Sequence, residues 1–271
     1  MTGLGAPLIA ELLALGLSAG FLAGLLGIGG GMLMVPFLTL ILSLRGVPPA
    51  LAVKMAIATS MATIVFTSLS SLRAHHARGA VRWNLVRGLA PGIVLGGLAA
   101  GGGIFALIKG QGLAVVFAVF VGFSALQMLL DRKPAAHRQM PGWAGQVGAG
   151  GLIGIVSGLV GAGGAFISVP FMLWCNVPLR HAVGTSAALG FPIALSATLG
   201  YVIGGRSLPP ALPGAFGYLY LPALALIAAA SVLMAPLGAR TAHRIDVGAL
   251  RRVFALLLMG LAATMLWRVF S

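Results

Sequence analysis

Acidic residues are almost absent from this chain. Of 271 residues only Glu11, Asp131 and Asp246 carry a carboxylate, against seventeen Lys and Arg. Charged residues of both signs make up 7%, where a soluble domain carries roughly 25%. That is too little ionised surface to face water all round, so a soluble globular domain is excluded. The single cysteine, Cys175, excludes a disulfide framework and a cysteine-based zinc site. The five histidines stand at 75, 76, 137, 181 and 243, and only the first two are neighbours. No metal-ligand spacing is present, and neither a metal nor a cofactor is expected. A net charge of +14 suits nucleic acid only when the cations form a patch on a soluble face. Here they are scattered between long apolar runs, which is the pattern of a membrane topology signal.

What remains is apolar: 59% hydrophobic residues, a mean hydropathy of +1.08, and 41 glycines, about twice the usual share. The chain is an integral membrane protein. The start, Met-Thr-Gly-Leu-Gly-Ala-Pro, lacks the basic region of a signal peptide, so the first apolar segment is expected to stay. Six stretches approach the roughly 20 apolar residues a spanning helix needs: 54–73, 87–108, 113–130, 183–204, 216–237 and 252–269. Two more, 7–44 and 146–178, are apolar but interrupted by glycine clusters. Their second arms, near 31–44 and 165–177, are short for a crossing and predict re-entrant hairpins or broken helices. Twelve cations then fall on one side, in or beside the loops 73–87, 131–138 and 238–252 and at Arg180; Arg45, Lys54, Lys109, Arg206 and Arg268 fall on the other. The positive-inside rule makes the first side cytoplasmic and puts both termini on the non-cytoplasmic side.

An internal repeat organises these elements. Residues 24–37 and 158–171 match at an offset of 134, with Gly24, Gly27, Gly29, Gly30, Val35, Pro36 and Phe37 recurring. Further on, Ala56-Ile57-Ala58-Thr59-Ser60 answers Ala182-Val183-Gly184-Thr185-Ser186 at an offset of 126. Each half is one hairpin plus three transmembrane helices. An odd number of crossings forces tandem halves into opposite orientations, the inverted-repeat architecture of secondary transporters. The expected fold is therefore an all-α polytopic membrane protein of two inverted-topology repeats, 1–130 and 146–271, joined by a cytoplasmic linker at 131–145.

The glycine clusters 27–31 and 161–165 are the first candidate site. Glycine lets a helix break without a Cβ penalty, and the next helical piece then presents free N–H groups that attract anions. The plainer alternative is that the glycines only allow close helix crossings. Thr59-Ser60 and Thr185-Ser186 come next, since hydroxyls donate to an anion without adding charge; their plainer role is to bond the carbonyl four residues back. Lys54, Arg180 and His181 read first as topology and lipid-headgroup contacts, and His75-His76 as part of a basic cytoplasmic rim. No carboxylate lies deep within the six clear spans, whereas cation transporters and proton pumps place acids there. The path suits an anion.

The paired Gly-x-Gly-Gly-(Gly/Ala)-x-x-x-Val-Pro segments, each followed by Ala-x-(Ala/Gly)-Thr-Ser, resemble the TauE/SafE family of sulfite and organosulfonate exporters. The stretch Ser71 to Asn84 is also similar to the loop after the Thr-Ser helix there. The resemblance covers roughly 8–270 and implies a bacterial inner-membrane permease for small sulfur anions, with secondary coupling and alternating access. It places the substrate site on Gly27, Gly29, Gly30, Gly31 and Pro36, on Gly161, Gly163, Gly164 and Pro170, and on Thr59, Ser60, Thr185 and Ser186. Ala165 replaces the last glycine of the second motif, so the tips need not contribute equally. The expected partners are a small sulfur anion and the lipid bilayer, not nucleic acid, with a homo-oligomer left open. A passive anion channel and an importer of another sulfur anion stay open as alternatives. A membrane enzyme or assembly factor needs a nucleophile–base pair or a metal cluster, and the sequence offers neither.

Overall fold

The computed structural model describes residues 5–26, 30–130, 138–241 and 247–270. The first interrupted region forms α1 (Ala6–Leu26) and α2 (Gly31–Leu44), followed by α3 (Pro49–Ala77). Next come α4 (Trp83–Ala99), a π-helical turn (Ala100–Ile104), the short α5 (Phe105–Leu107) and α6 (Gly110–Leu130). The second half runs through α7 (Trp143–Val160), α8 (Ala165–Trp174) and α9 (Leu179–Gly205). Two-residue strands β1 (Ala215–Phe216) and β2 (Leu219–Tyr220) lead into α10 (Leu221–Thr241) and α11 (Val247–Phe270). The protein is an all-α polytopic membrane protein: seven helices among the described residues are long and apolar enough to cross a bilayer. Leu95, Phe123, Leu152, Leu233 and Leu256 are exposed on their helices, an arrangement that lipid tolerates and water does not.

Several bounds differ from the sequence expectation, each for a local reason. The span expected at 54–73 is α3, lengthened at its start by Pro49 in the first helical position and at its end through His75 and His76. The span expected at 216–237 begins only at Leu221, because Ala215 pairs with Tyr220 and Phe216 with Leu219 in a small antiparallel hairpin. The first arms of the interrupted regions, α1 and α7, are themselves of spanning length. The second arms are short: α2 has 14 residues and α8 has 10. At 1.5 Å per residue they reach about 21 Å and 15 Å.

Small residues set the packing. On α1, Gly16, Gly20 and Gly24 face α10 so closely that a Cβ on any of them would collide with Ile227, Ser231 or Ala235. On α7, Gly150, Gly154 and Gly158 do the same against Leu89, Ile93 and Ala100 of the α4 segment. The second triplet lies 134 residues after the first, the offset of the glycine repeat. Without a hydrophobic drive between helices in lipid, such backbone approach is what brings dispersion contacts and weak hydrogen bonds into range. Ser231 Oγ donates to Gly16 O at 2.9 Å, and the Tyr201 hydroxyl donates to Gly158 O. The helices α3 and α9 pack together at the centre, and α6 packs on α11.

Candidate functional site

The two glycine clusters meet. The carbonyl oxygen of Gly161 lies where a Cβ on Gly31 would stand, with Ile64 Cδ1 and Ala162 Cα beside it. Gly31 opens α2, and Gly161 closes α7 in the left-handed conformation (φ 73°) that glycine adopts without strain. Gly164 is also left-handed (φ 77°) and turns the chain into α8. The chain therefore breaks between Gly161 and Gly164, against the start of α2.

The candidate residues take different places around this contact. Gly30 packs on Ala19 of α1. Gly163 is half-buried, and a Cβ there would meet only Ile64 Cγ2 at 3.5 Å. Ala165 is the half-buried first residue of α8. Ser60 and Ser186 are buried; Ser60 Oγ lies 3.5 Å from Gly161 O, and Ser186 Oγ shares a 2.7 Å hydrogen bond with Ser168 Oγ. Pro36 and Pro170 sit further along α2 and α8, away from the tips, and Pro36 lines a separate apolar cavity of about 470 Å³ between α2, α3, α6 and α11. Gly27 and Gly29 lie outside the described residues.

Thr59 and Thr185 are both fully buried and bind backbone rather than each other. Thr59 Oγ1 accepts the N–H of Tyr220, the residue before α10, and Thr185 Oγ1 accepts the N–H of Arg82, the residue before α4, each at 3.0 Å. Each bond joins one sequence half to the other. Around the second bond, Arg180 donates to Arg78 O at 2.6 Å and His181 Nδ1 lies 3.2 Å from Ala80 O. Around the first, Lys54 donates to Ala106 O at 3.1 Å and lies 5.5 Å from the centre of the Tyr218 ring. Burial pushes the Tyr218 phenol up from its ordinary range. Arg180 thus holds the turn that precedes α4, and Lys54 holds α5 and lies over Tyr218 in the hairpin before α10, positioning roles where the sequence reading assigned lipid contact.

The surroundings are neutral. Among the described residues the one carboxylate is Glu11, 3.4 Å from Arg45 and away from the tips. No group of three metal-ligating side chains occurs among them. Sequence reasoning missed Ser157 and Ser168, which flank the second break. They are positions where the halves differ, Ala23 and Met34 in the first, so a search for recurrence passes over them.

A family model described as sulfite exporter TauE/SafE matches residues 12–265. A "Probable membrane transporter protein" of Haemophilus influenzae is 36% identical over 255 residues, covering 93% of this chain and 96% of that protein. The "Probable membrane transporter protein YdhB" of Bacillus subtilis is 27% identical, covering 69% and 76%. The similarity extends to an archaeal "Probable membrane transporter protein MJ0441" of Methanocaldococcus jannaschii, 27% identical over 79% of this chain. No solved structure matches. With its broken helices, the contact of Gly31 with Gly161 and a family match along almost its whole length, this chain is a membrane transporter that belongs to the TauE/SafE sulfite exporter family.

Proposed function

We propose that this transporter moves small sulfur oxyanions or organosulfonates by alternating access, at a site between two inverted repeats. The observation that carries the reading is the contact of Gly31 with Gly161, two helix breaks meeting in a neutral, hydroxyl-bearing setting. Inversion is supported by the packing: α1 lies on α10 as α7 lies on α4, and each pair joins the first arm of one half to the second span of the other. The paired bonds of Thr59 and Thr185 follow the same exchange. With twelve cations on the cytoplasmic side, the termini lie outside a bacterial inner membrane, and the two threonine bonds fall toward opposite membrane faces. Breaking one while keeping the other opens the tips to one side at a time.

The test is uptake of labelled sulfite and of a small sulfonate by the purified chain in liposomes, with and without a proton gradient. Accumulation against a concentration gradient is expected. Movement without accumulation makes it a passive channel, and no movement of either anion overturns the reading.

A further inference from the structure

The two tips share glycines but differ in hydroxyls. Where the first half has Ala23 and Met34, the second has Ser157 and Ser168. The carbonyl of Ser157 accepts the N–H groups of Gly161 at 2.9 Å and Ala162 at 3.3 Å, closing α7. Its hydroxyl is buried and has no hydrogen-bond partner among the described residues. It is aimed at the break: a Cβ on Gly164 would lie 3.1 Å from Ser157 Oγ. Gly164 gives α8 no side-chain cap, so the N–H groups of Ala165 and Phe166 lack intrahelical acceptors, and both residues are half-buried. Ser168 follows within the first turn, its N–H donating to Gly164 O at 2.9 Å and its hydroxyl paired with Ser186.

A buried hydroxyl without a partner is costly, and one at a helix N-terminus beside free N–H groups is satisfied by an anion oxygen. Neither α7 nor α8 carries a charged residue. On α3 and α9, Lys54 and Arg180 are each held by a backbone carbonyl. Neutral donors hold an oxyanion by hydrogen bonds and the helix dipole alone, which favours release as well as binding.

We infer that the anion is seated at the second tip only, on Ser157 Oγ and the N–H groups of Ala165 and Phe166, with the Ser168–Ser186 pair beside it. The group recognised is the SO3 unit that sulfite and sulfonates share. The first tip contributes the wall, through Gly31 against Gly161. The inference rests on the transporter reading above and adds the seat.

The experiment uses the full chain in liposomes, with sulfite and methanesulfonate as probes. Ser157→Ala is expected to raise KM for both by about tenfold. Its Tm should stay the same or rise, because an unpartnered hydroxyl has been removed. Sulfite should raise the Tm of the wild type and not that of the variant. Ser168→Ala should also raise KM, while Ser124→Ala, whose hydroxyl bonds Phe120 O on α6, should not. A KM for Ser157→Ala within about twofold of wild type, or a lowered Tm, overturns the seat and leaves the transporter reading standing. A wild type that moves neither probe overturns both.

Discussion

Thr59 and Tyr220, 161 residues apart, are joined by a buried 3.0 Å hydrogen bond from the N–H that leads into α10 to a hydroxyl on α3. Arg82 and Thr185 repeat it with the halves exchanged. Tyr220 is buried and its N–H must find an acceptor, whereas Arg82 is exposed; neither donor uses its own helix. Each bond fixes where one half begins a helix on the surface of the other.

Removing either hydroxyl should therefore cost stability. Thr59→Val and Thr185→Val both keep the shape. Thr59→Val leaves the buried Tyr220 N–H unpaired, at about 1–3 kcal/mol, and Thr185→Val removes the bond from exposed Arg82, at about 0.5–1.5 kcal/mol. Thermal unfolding in detergent should show a lowered Tm for both. If the bonds also serve as gates, the variants should differ in which membrane face admits a water-soluble cysteine reagent at probes near the tips.

The tips should tolerate a methyl group unequally. At Gly31 an added Cβ overlaps Gly161 O, whereas at Gly163 it meets only an ordinary contact. Gly31→Ala should destabilise by about 1–3 kcal/mol, the range of an overpacked core. Gly163→Ala should leave Tm near wild type. Equal Tm for the two variants would contradict the geometry.

The glycine ridges should matter more for assembly than for chemistry. Gly20→Leu and Gly154→Leu force α1 off α10 and α7 off α4, where backbone atoms already occupy the Cβ position. Both should lose folded protein on size-exclusion chromatography, to similar extents because the two ridges are equivalent.

Cys175 offers a pH-resolved probe. Burial pushes its thiol up, an effect that Arg138 opposes only in part. A raised thiol pKa means less thiolate at neutral pH, and the thiolate is the reactive form. Modification by N-ethylmaleimide should be slow near pH 7 and quicken as pH rises past the ordinary thiol range. Rapid labelling at neutral pH would count against the buried position.

Much of the fold was legible because it follows from local arithmetic. Apolar run length marked the spans, and the glycine motifs at an offset of 134 marked the two breaks. The ridges Gly16, Gly20, Gly24 and Gly150, Gly154, Gly158 were also within reach, by carrying the same offset back along the chain. The hairpin at 215–220 was not, since Phe216, Tyr218, Leu219 and Tyr220 are apolar enough to read as the start of a span. Ser157 was hidden for another reason: one serine in an apolar helix is unremarkable until its partners are known.

The sequence by itself determined that this is a polytopic membrane protein with two related halves and few acids, because composition and repetition are properties of the chain. Only the tertiary structure decided which groups face which. It set Gly31 on Gly161, gave Thr59 and Thr185 backbone partners in the opposite half, and left the Ser157 hydroxyl without one among the described residues. These relationships depend on close approach between segments more than a hundred residues apart. That approach is fixed by where small residues let backbones touch, which no local pattern records.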